Sequence, residues 1–208
     1  IDVEALGIHM LAVPGHKGLL GPLGTGALYV REGIVLEPIL AGGTGTESKN
    51  RTQPCDFPEG FEAGTINAPA IIGLGTSAEY VGKIGVDVIR QYEEELIGWL
   101  DEEILNMDGI TLYGPDCSKK TGISLINIDG LEAEEVTEEL NKTYGIAVRG
   151  GYHCAGLAHK SIGTWDQGAV RISIGPYNTK KEKKLYFPEN WQKCREFPEP
   201  PANFSCAW

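Results

Sequence analysis

The sequence predicts an α/β protein arranged in two lobes, and three observations carry that prediction. Short apolar stretches near the N-terminus alternate with glycine- and proline-rich turns. Two helical patterns follow back to back between Asn67 and Leu105, and strand and helix patterns then alternate again from Ile110 to Ile174.

The first lobe opens with Met10-Leu11-Ala12-Val13, a strand that delivers the chain onto the turn Pro14-Gly15-His16-Lys17-Gly18. After Gly21, Pro22, Gly24 and Gly26 a second strand, Ala27-Leu28-Tyr29-Val30, is expected, and the apolar run from Ile34 to Leu40 continues the layer. Gly42-Gly43-Thr44-Gly45-Thr46-Glu47 is too rich in glycine to be anything but loop. Its N–H groups could cradle an anion, but it lacks the Gly-Lys-Ser/Thr ending of a nucleotide-binding P-loop.

Asn67, with Pro69 in the first turn, starts a helix expected to reach about Val81. Beyond a break at Gly82-Lys83-Ile84-Gly85, a second helix carries Val88, Ile89, Tyr92, Leu96, Trp99 and Leu100 at spacings of three and four, to about Leu105. The second lobe reads as an α+β unit. Its expected strands are Ile110–Tyr113, Ile123–Ile128, Ile146–Val148 and Ala169–Ile174, with a helix from about Glu132 to Tyr144. The expected organisation is therefore 1–66, linking helices 67–105, a small domain 106–179, and an irregular tail 180–208 with several prolines and a lysine-rich start.

Composition narrows the function. The 208 residues are 41% hydrophobic, enough for a real core, and the net charge is −11. The acids of Glu93-Glu94-Glu95, Asp101-Glu102-Glu103 and Glu132 to Glu139 fall at helical spacing and read as solvated faces, so nucleic acid is not an expected partner. No apolar run approaches the ~20 residues of a membrane span. With no signal peptide in the first residues, the expected setting is soluble and cytoplasmic. Cys55, Cys117, Cys154, Cys194 and Cys206 form no Cys-x-x-Cys pair and are odd in number, which argues against a disulfide framework and a zinc site.

Three side chains carry possible chemistry. Lys17 stands on a glycine-rich turn, where Gly15, Gly18 and Gly21 would let a flat ligand lie beside the amine and partial desolvation would free it for Schiff-base formation. The alternative is an ordinary exposed turn lysine. In the last strand Val170, Ile172 and Ile174 share one face, which turns Arg171 to the other, either solvated or forked onto a carboxylate. Cys154, beside His153 and near Arg149, sits in surroundings that favour thiolate, against the alternative of a buried inert cysteine. Its loop, Gly150 to Gly168, holds enough glycine to move.

Gly15-His16-Lys17-Gly18, then Gly21-Pro22-x-Gly24-Thr25-Gly26, Phe61 to Asn67, Val148 to Ala155, and Arg171-Ile172-Ser173 with Tyr177-Asn178-Thr179 resemble, in order and spacing, the class V aminotransferase family. Within it they look most like cysteine desulfurases and selenocysteine lyases. The resemblance covers residues 1 to about 182. It implies the C-terminal part of the large domain of a fold type I enzyme dependent on pyridoxal 5'-phosphate, plus a small α+β domain. It further implies that Lys17 holds the cofactor, with His16 its neighbour in the pocket. Thr65 matches a residue that reaches the cofactor phosphate of the opposite subunit, which implies a homodimer. Arg171 matches the arginine that grips the substrate α-carboxylate, Arg149 a second arginine near the substrate, and Cys154 the nucleophile that takes sulfur from L-cysteine or a similar amino acid. The short spacing from Cys154 to Arg171 resembles the desulfurase branch, which implies a sulfur-acceptor protein. A class V aminotransferase, a selenocysteine lyase and a non-catalytic fragment are the alternatives. The family's large domain begins well before its lysine, so the chain is expected to be the C-terminal half of a longer protein.

Overall fold

The computed structural model describes residues 1–115 and 119–179. Cys117, Cys194, Cys206 and the expected tail 180–208 lie outside the described residues. The chain divides into two compact units, Ile1–Gly85 and Val86–Trp208.

In the first unit β1 (Met10–Pro14) pairs antiparallel with β2 (Gly26–Val30), in a register that sets Met10 opposite Val30 and Pro14 opposite Gly26. The hairpin is closed by backbone bonds: Gly15 N–H donates to the Thr25 carbonyl at 2.8 Å and Gly21 N–H to the Gly15 carbonyl at 2.8 Å. A short 3-10 turn (Glu59–Phe61) precedes α1 (Ala68–Ile84). Helix α1 starts where its sequence says it should. The Asn67 side chain accepts from Ala70 N–H at 3.3 Å and takes up one of the free N–H groups of the first turn.

Two expectations change here. The run from Ile34 to Leu40 forms no strand: Pro38 has no N–H to give a ladder, and Val35 and Ile39 stand fully exposed within this chain. Helix α1 also passes through Gly82 and ends only at Gly85, whose φ of +91° no helix accommodates. A glycine inside a helix costs about 1 kcal/mol against alanine, which the burial of the adjacent Val81 offsets.

The second unit begins with α2 (Val86–Leu105), followed by β3 (Ile110–Tyr113), β4 (Ile123–Ile128), α3 (Ala133–Tyr144), α4 (Gly156–Ser161) and β5 (Val170–Ser173). The sheet order is β3-β4-β5, all antiparallel. Helix α2 turns Ile97, Leu100 and Ile104 inward, β4 gives Ile126 and Ile128, α3 gives Val136 and Leu140, and β5 gives Val170 and Ile172. Burying each such side chain contributes about 1.5–3 kcal/mol, so this cluster is what holds the sheet against the two helices.

One acid breaks the expected solvated face of α2. Asp101 is buried, with Lys120 Nζ at 2.7 Å from Oδ2 and the Ser124 hydroxyl donating to Oδ1. The side chains of the pair are 5% and 6% exposed. They pin α2 to β4 and to the segment entering it.

The expected strand Ile146–Val148 is also absent, because its first residue is already committed. Gly145 caps α3 in the left-handed region at φ +66°, and Ile146 N–H donates back to the Leu140 carbonyl at 2.9 Å. Pairing with β5 is confined to the bridge of Arg149 with Arg171. Among the described residues, no helix is long and apolar enough to cross a membrane.

Candidate functional site

The second unit gathers Arg149, Cys154 and Arg171 on one frame. Arg171 N–H donates to the Arg149 carbonyl at 2.7 Å, and Arg149 N–H to the Arg171 carbonyl at 3.2 Å. Ala169 N–H continues this pairing to the Gly151 carbonyl at 3.1 Å. The loop Gly150–Gly168 therefore leaves and returns at adjacent points beside β5. Arg149 reaches back over it, and its Nη2 lies 3.9 Å from Cys154 Sγ. Cys154 is exposed, so the buried, inert alternative does not hold.

The loop is strained near its start. His153 has φ +56° and Cys154 φ +58°, a region that costs non-glycine residues about 1–3 kcal/mol each and survives only where the surroundings over-determine it. Those surroundings are aromatic and polar. Tyr152 O–H donates to the Trp165 carbonyl at 2.7 Å, and its ring meets Trp165 and His159 edge-on. His153 is held below the ordinary histidine range chiefly by burial; its bond to the Arg149 carbonyl opposes this, and the Arg171, His159 and Arg149 side chains add to it.

Arg171 alternates as its strand period requires, with Val170 and Ile172 buried and Arg171 on the opposite face. Its Nε is buried and, among the described residues, has no hydrogen-bond partner. Leaving such a donor unmet costs about 1–3 kcal/mol, a cost that a bound carboxylate would remove.

In the first unit Lys17 and His16 are exposed on the hairpin turn. Two of the three glycines expected to make room for a ligand serve the fold. A Cβ on Gly15 would meet Thr25 Oγ1 at 2.3 Å and Leu74 Cδ1 at 2.9 Å, and one on Gly21 would meet Leu74 Cδ1 at 2.7 Å. Gly18 alone opens to free space. The desolvation expected of Lys17 is thus not supplied within this unit.

Thr65 lies beside the glycine loop. Gly64 N–H donates to the Gly43 carbonyl at 2.8 Å, and Gly43, Thr44, Gly45, Glu62 and Thr65 line a cavity of about 500 Å³. The Thr65 hydroxyl and the glycine N–H groups are donors suited to an anion, while the Glu59 and Glu62 carboxylates of the same lining oppose one.

Sequence reasoning missed His159 and Thr164, both buried and both hydrogen-bonded into the cysteine loop. The one available signal was a second histidine following His153 on the same short loop, at His159.

Cysteine desulfurases from several organisms match most of this chain. The protein named "Probable cysteine desulfurase" from Methanothermobacter thermautotrophicus is 41% identical over 89% of this chain and 47% of its own length. A cysteine desulfurase from Enterobacter sp. (strain 638) is 41% identical over 88% and 45%. Among solved structures, the apo cysteine desulfurase of Thermococcus onnurineus NA1 superposes with a TM-score of 0.78 at 34% identity, over 88% of this chain and 46% of that one. The cysteine desulfurase CsdA of Escherichia coli gives 0.78 at 26% identity, over 94% and 48%. The chain spans about half the length of the curated relatives it matches. The profile of the aminotransferase class-V family matches residues 1–185, and the chain belongs to that family.

Proposed function

We propose that the full-length protein is a cysteine desulfurase dependent on pyridoxal 5'-phosphate, and that this chain supplies its sulfur-accepting and carboxylate-binding residues. The observation that carries the reading is the shared frame of an exposed Cys154 thiol facing the Arg149 guanidinium and an Arg171 whose Nε lacks a partner.

Each unit by itself offers residues suited to the cofactor or its substrate. Lys17 offers an accessible amine, Thr65 and the Gly43–Gly45 backbone offer anion donors, and the unmet Arg171 donor offers a place for the amino acid's carboxylate. When bound, the cofactor supplies an electron sink for charge developing at the substrate's Cα.

The chain's own residues do the rest. Arg171 fixes the carboxylate, which sets which bond at Cα is broken, an orientation effect that can reach several kcal/mol. Lys17 Nζ takes the Cα proton as general base. The Arg149 guanidinium stands 3.9 Å from Cys154 Sγ, and the Cys154 thiolate attacks the sulfur of L-cysteine. The S–S bond forms as the substrate's Cβ–S bond breaks with its electron pair on the carbon side. Cβ receives a proton, so that a Cys154 persulfide and alanine are the products. Thr65, by the family pattern, serves the partner subunit of a homodimer, and a sulfur-acceptor protein then removes the persulfide sulfur.

Full-length protein given L-cysteine and a reductant is expected to release sulfide and alanine in equal amounts, with Cys154→Ala falling to the uncatalysed background. Sulfide release that survives Cys154→Ala sinks the desulfurase reading in favour of another class V reaction.

A further inference from the structure

A second constellation lies beside Cys154, and the reaction above leaves it unused. His153 Nε2 is 2.8 Å from the Arg149 carbonyl oxygen, His153 Nδ1 is 3.2 Å from His159 Nε2, and His159 Nδ1 is 2.8 Å from Thr164 Oγ1. His159 is 2% exposed and Thr164 0%, so water cannot stand in for a missing partner at that end.

The chemistry of each group fixes the protons. A carbonyl only accepts, so His153 carries its proton on Nε2 and leaves Nδ1 as an acceptor. His159 must then donate from Nε2, and its Nδ1 must accept the Thr164 hydroxyl proton. One tautomer at each ring satisfies every position, and the bonds run in one direction, from Thr164 through His159 and His153 to Arg149.

The end point of the chain is the Arg149 carbonyl, which also accepts Arg171 N–H. It therefore stops on the atom that joins the cysteine loop to β5. In between are His153 and Cys154, both with positive φ and neither a glycine.

We propose that His153, His159 and Thr164 are positioning residues, a directed and largely buried relay that holds Cys154 in its left-handed conformation and ties it to the frame of Arg149 and Arg171. For the reaction, the proposal rests on the reading of Cys154 as the sulfur-accepting nucleophile. The relay needs His153 neutral, with Nδ1 free to accept from His159. A proton on His153 Nδ1 would set two N–H groups against each other unless His159 changed tautomer and Thr164 turned its hydroxyl to the His159 carbonyl, a long 3.5 Å away. The charged and titratable groups around the relay are Arg149, Arg171, the Cys154 thiol, the Tyr152 phenol, and Glu134 of α3 close to Gly151. The two guanidiniums disfavour a cationic His153.

The test uses the full-length protein with three readouts. In ¹⁵N spectra of the histidine rings near neutral pH, both residues are expected as the Nε2–H tautomer; an Nδ1–H form of either overturns the relay. His159→Leu is expected to lower kcat about 10²-fold with KM for L-cysteine little changed, as a displaced thiol behind an intact Arg171 requires. It is also expected to slow alkylation of Cys154 by iodoacetamide at pH 7. His159→Gln, which keeps a donor toward His153, recovers most of both. If His159→Leu loses thermal stability but keeps wild-type kcat and alkylation rate, the relay is mere packing and the proposal falls. Should L-cysteine not be consumed at all, the desulfurase reading fails, while the tautomers and the alkylation rates still decide the relay. The wild-type spectrum decides it too if His159→Leu does not fold.

Discussion

Replacing Gly168 by alanine probes how the cysteine loop is closed, and its effect can be worked from the structure. Gly168 is buried with φ +64°, and a Cβ there would lie 2.9 Å from Gly151 Cα and 3.0 Å from the Gly151 carbonyl carbon and oxygen. These are backbone atoms that cannot rotate away, and they belong to the other end of the same loop. Alanine would incur about 1–2 kcal/mol for the left-handed conformation. The overlap adds about 1–3 kcal/mol, for a total of about 2–5 kcal/mol. Gly163→Ala is the internal control. Gly163 lies in the same loop at φ +78° with nothing within 4 Å of its Cβ position, so only the conformational part, about 1–2 kcal/mol, applies. Urea unfolding of the two variants measures the difference, and hydrogen exchange across residues 150–168 reports whether the loop opens locally. Equal losses for the two variants, or a Gly168→Ala protein with unchanged exchange in the loop, would refute the argument that backbone contact between Gly151 and Gly168 closes it.

Two further predictions concern titratable groups. Lys120→Met should cost about 3–5 kcal/mol in urea unfolding because it strands the Asp101 carboxylate. Adding Asp101→Leu should recover most of that, short of the roughly 1–3 kcal/mol for the orphaned Ser124 hydroxyl. The second follows from His153. Its folded value lies below the ordinary 6.5, so the unfolded chain binds more protons in the window between them and stability rises with pH there. The contribution is complete above pH 6.5 and is lost as pH falls through the lowered value. Stability of wild type should therefore drop more steeply on acidification than that of His153→Asn, and parallel pH profiles would count against the assignment.

Much of the fold was legible because its signals are local. The spacing of Leu96, Leu100 and their neighbours declared α2, and alternation declared β4 and β5. The misreadings lie where pattern alone cannot name the partner. Ile146 looked like the start of a strand, yet its N–H is spent closing α3 on Leu140. Asp101 looked solvated within an acidic helix, because its partner Lys120 arrives from a separate segment. Helix α4 was unread because six residues beginning with glycine carry too little pattern. In each case the deciding feature is a specific hydrogen-bond partner, near or far in sequence, or an element too short to show a period.

The candidate site divides along the same line. Lys17, Cys154 and Arg171 were readable because reactive chemistry is a property of residue type, and their neighbours in sequence were enough to single them out. What readies them is not a property of type. Gly15 and Gly21 looked like room for a ligand, and they are the places where the hairpin meets Leu74. The alternation of β5 gave the direction of Arg171, but not the unmet Nε that gives the direction its chemical meaning. His159 carried only a weak signal, a second histidine after His153 on a helix of six residues. Its role exists only because Thr164 and His153 fix its two nitrogens, one as acceptor and one as donor. Candidates for reaction can therefore be picked out by residue type in this chain, whereas the residues proposed to hold them in place become visible only when each donor is matched to its acceptor.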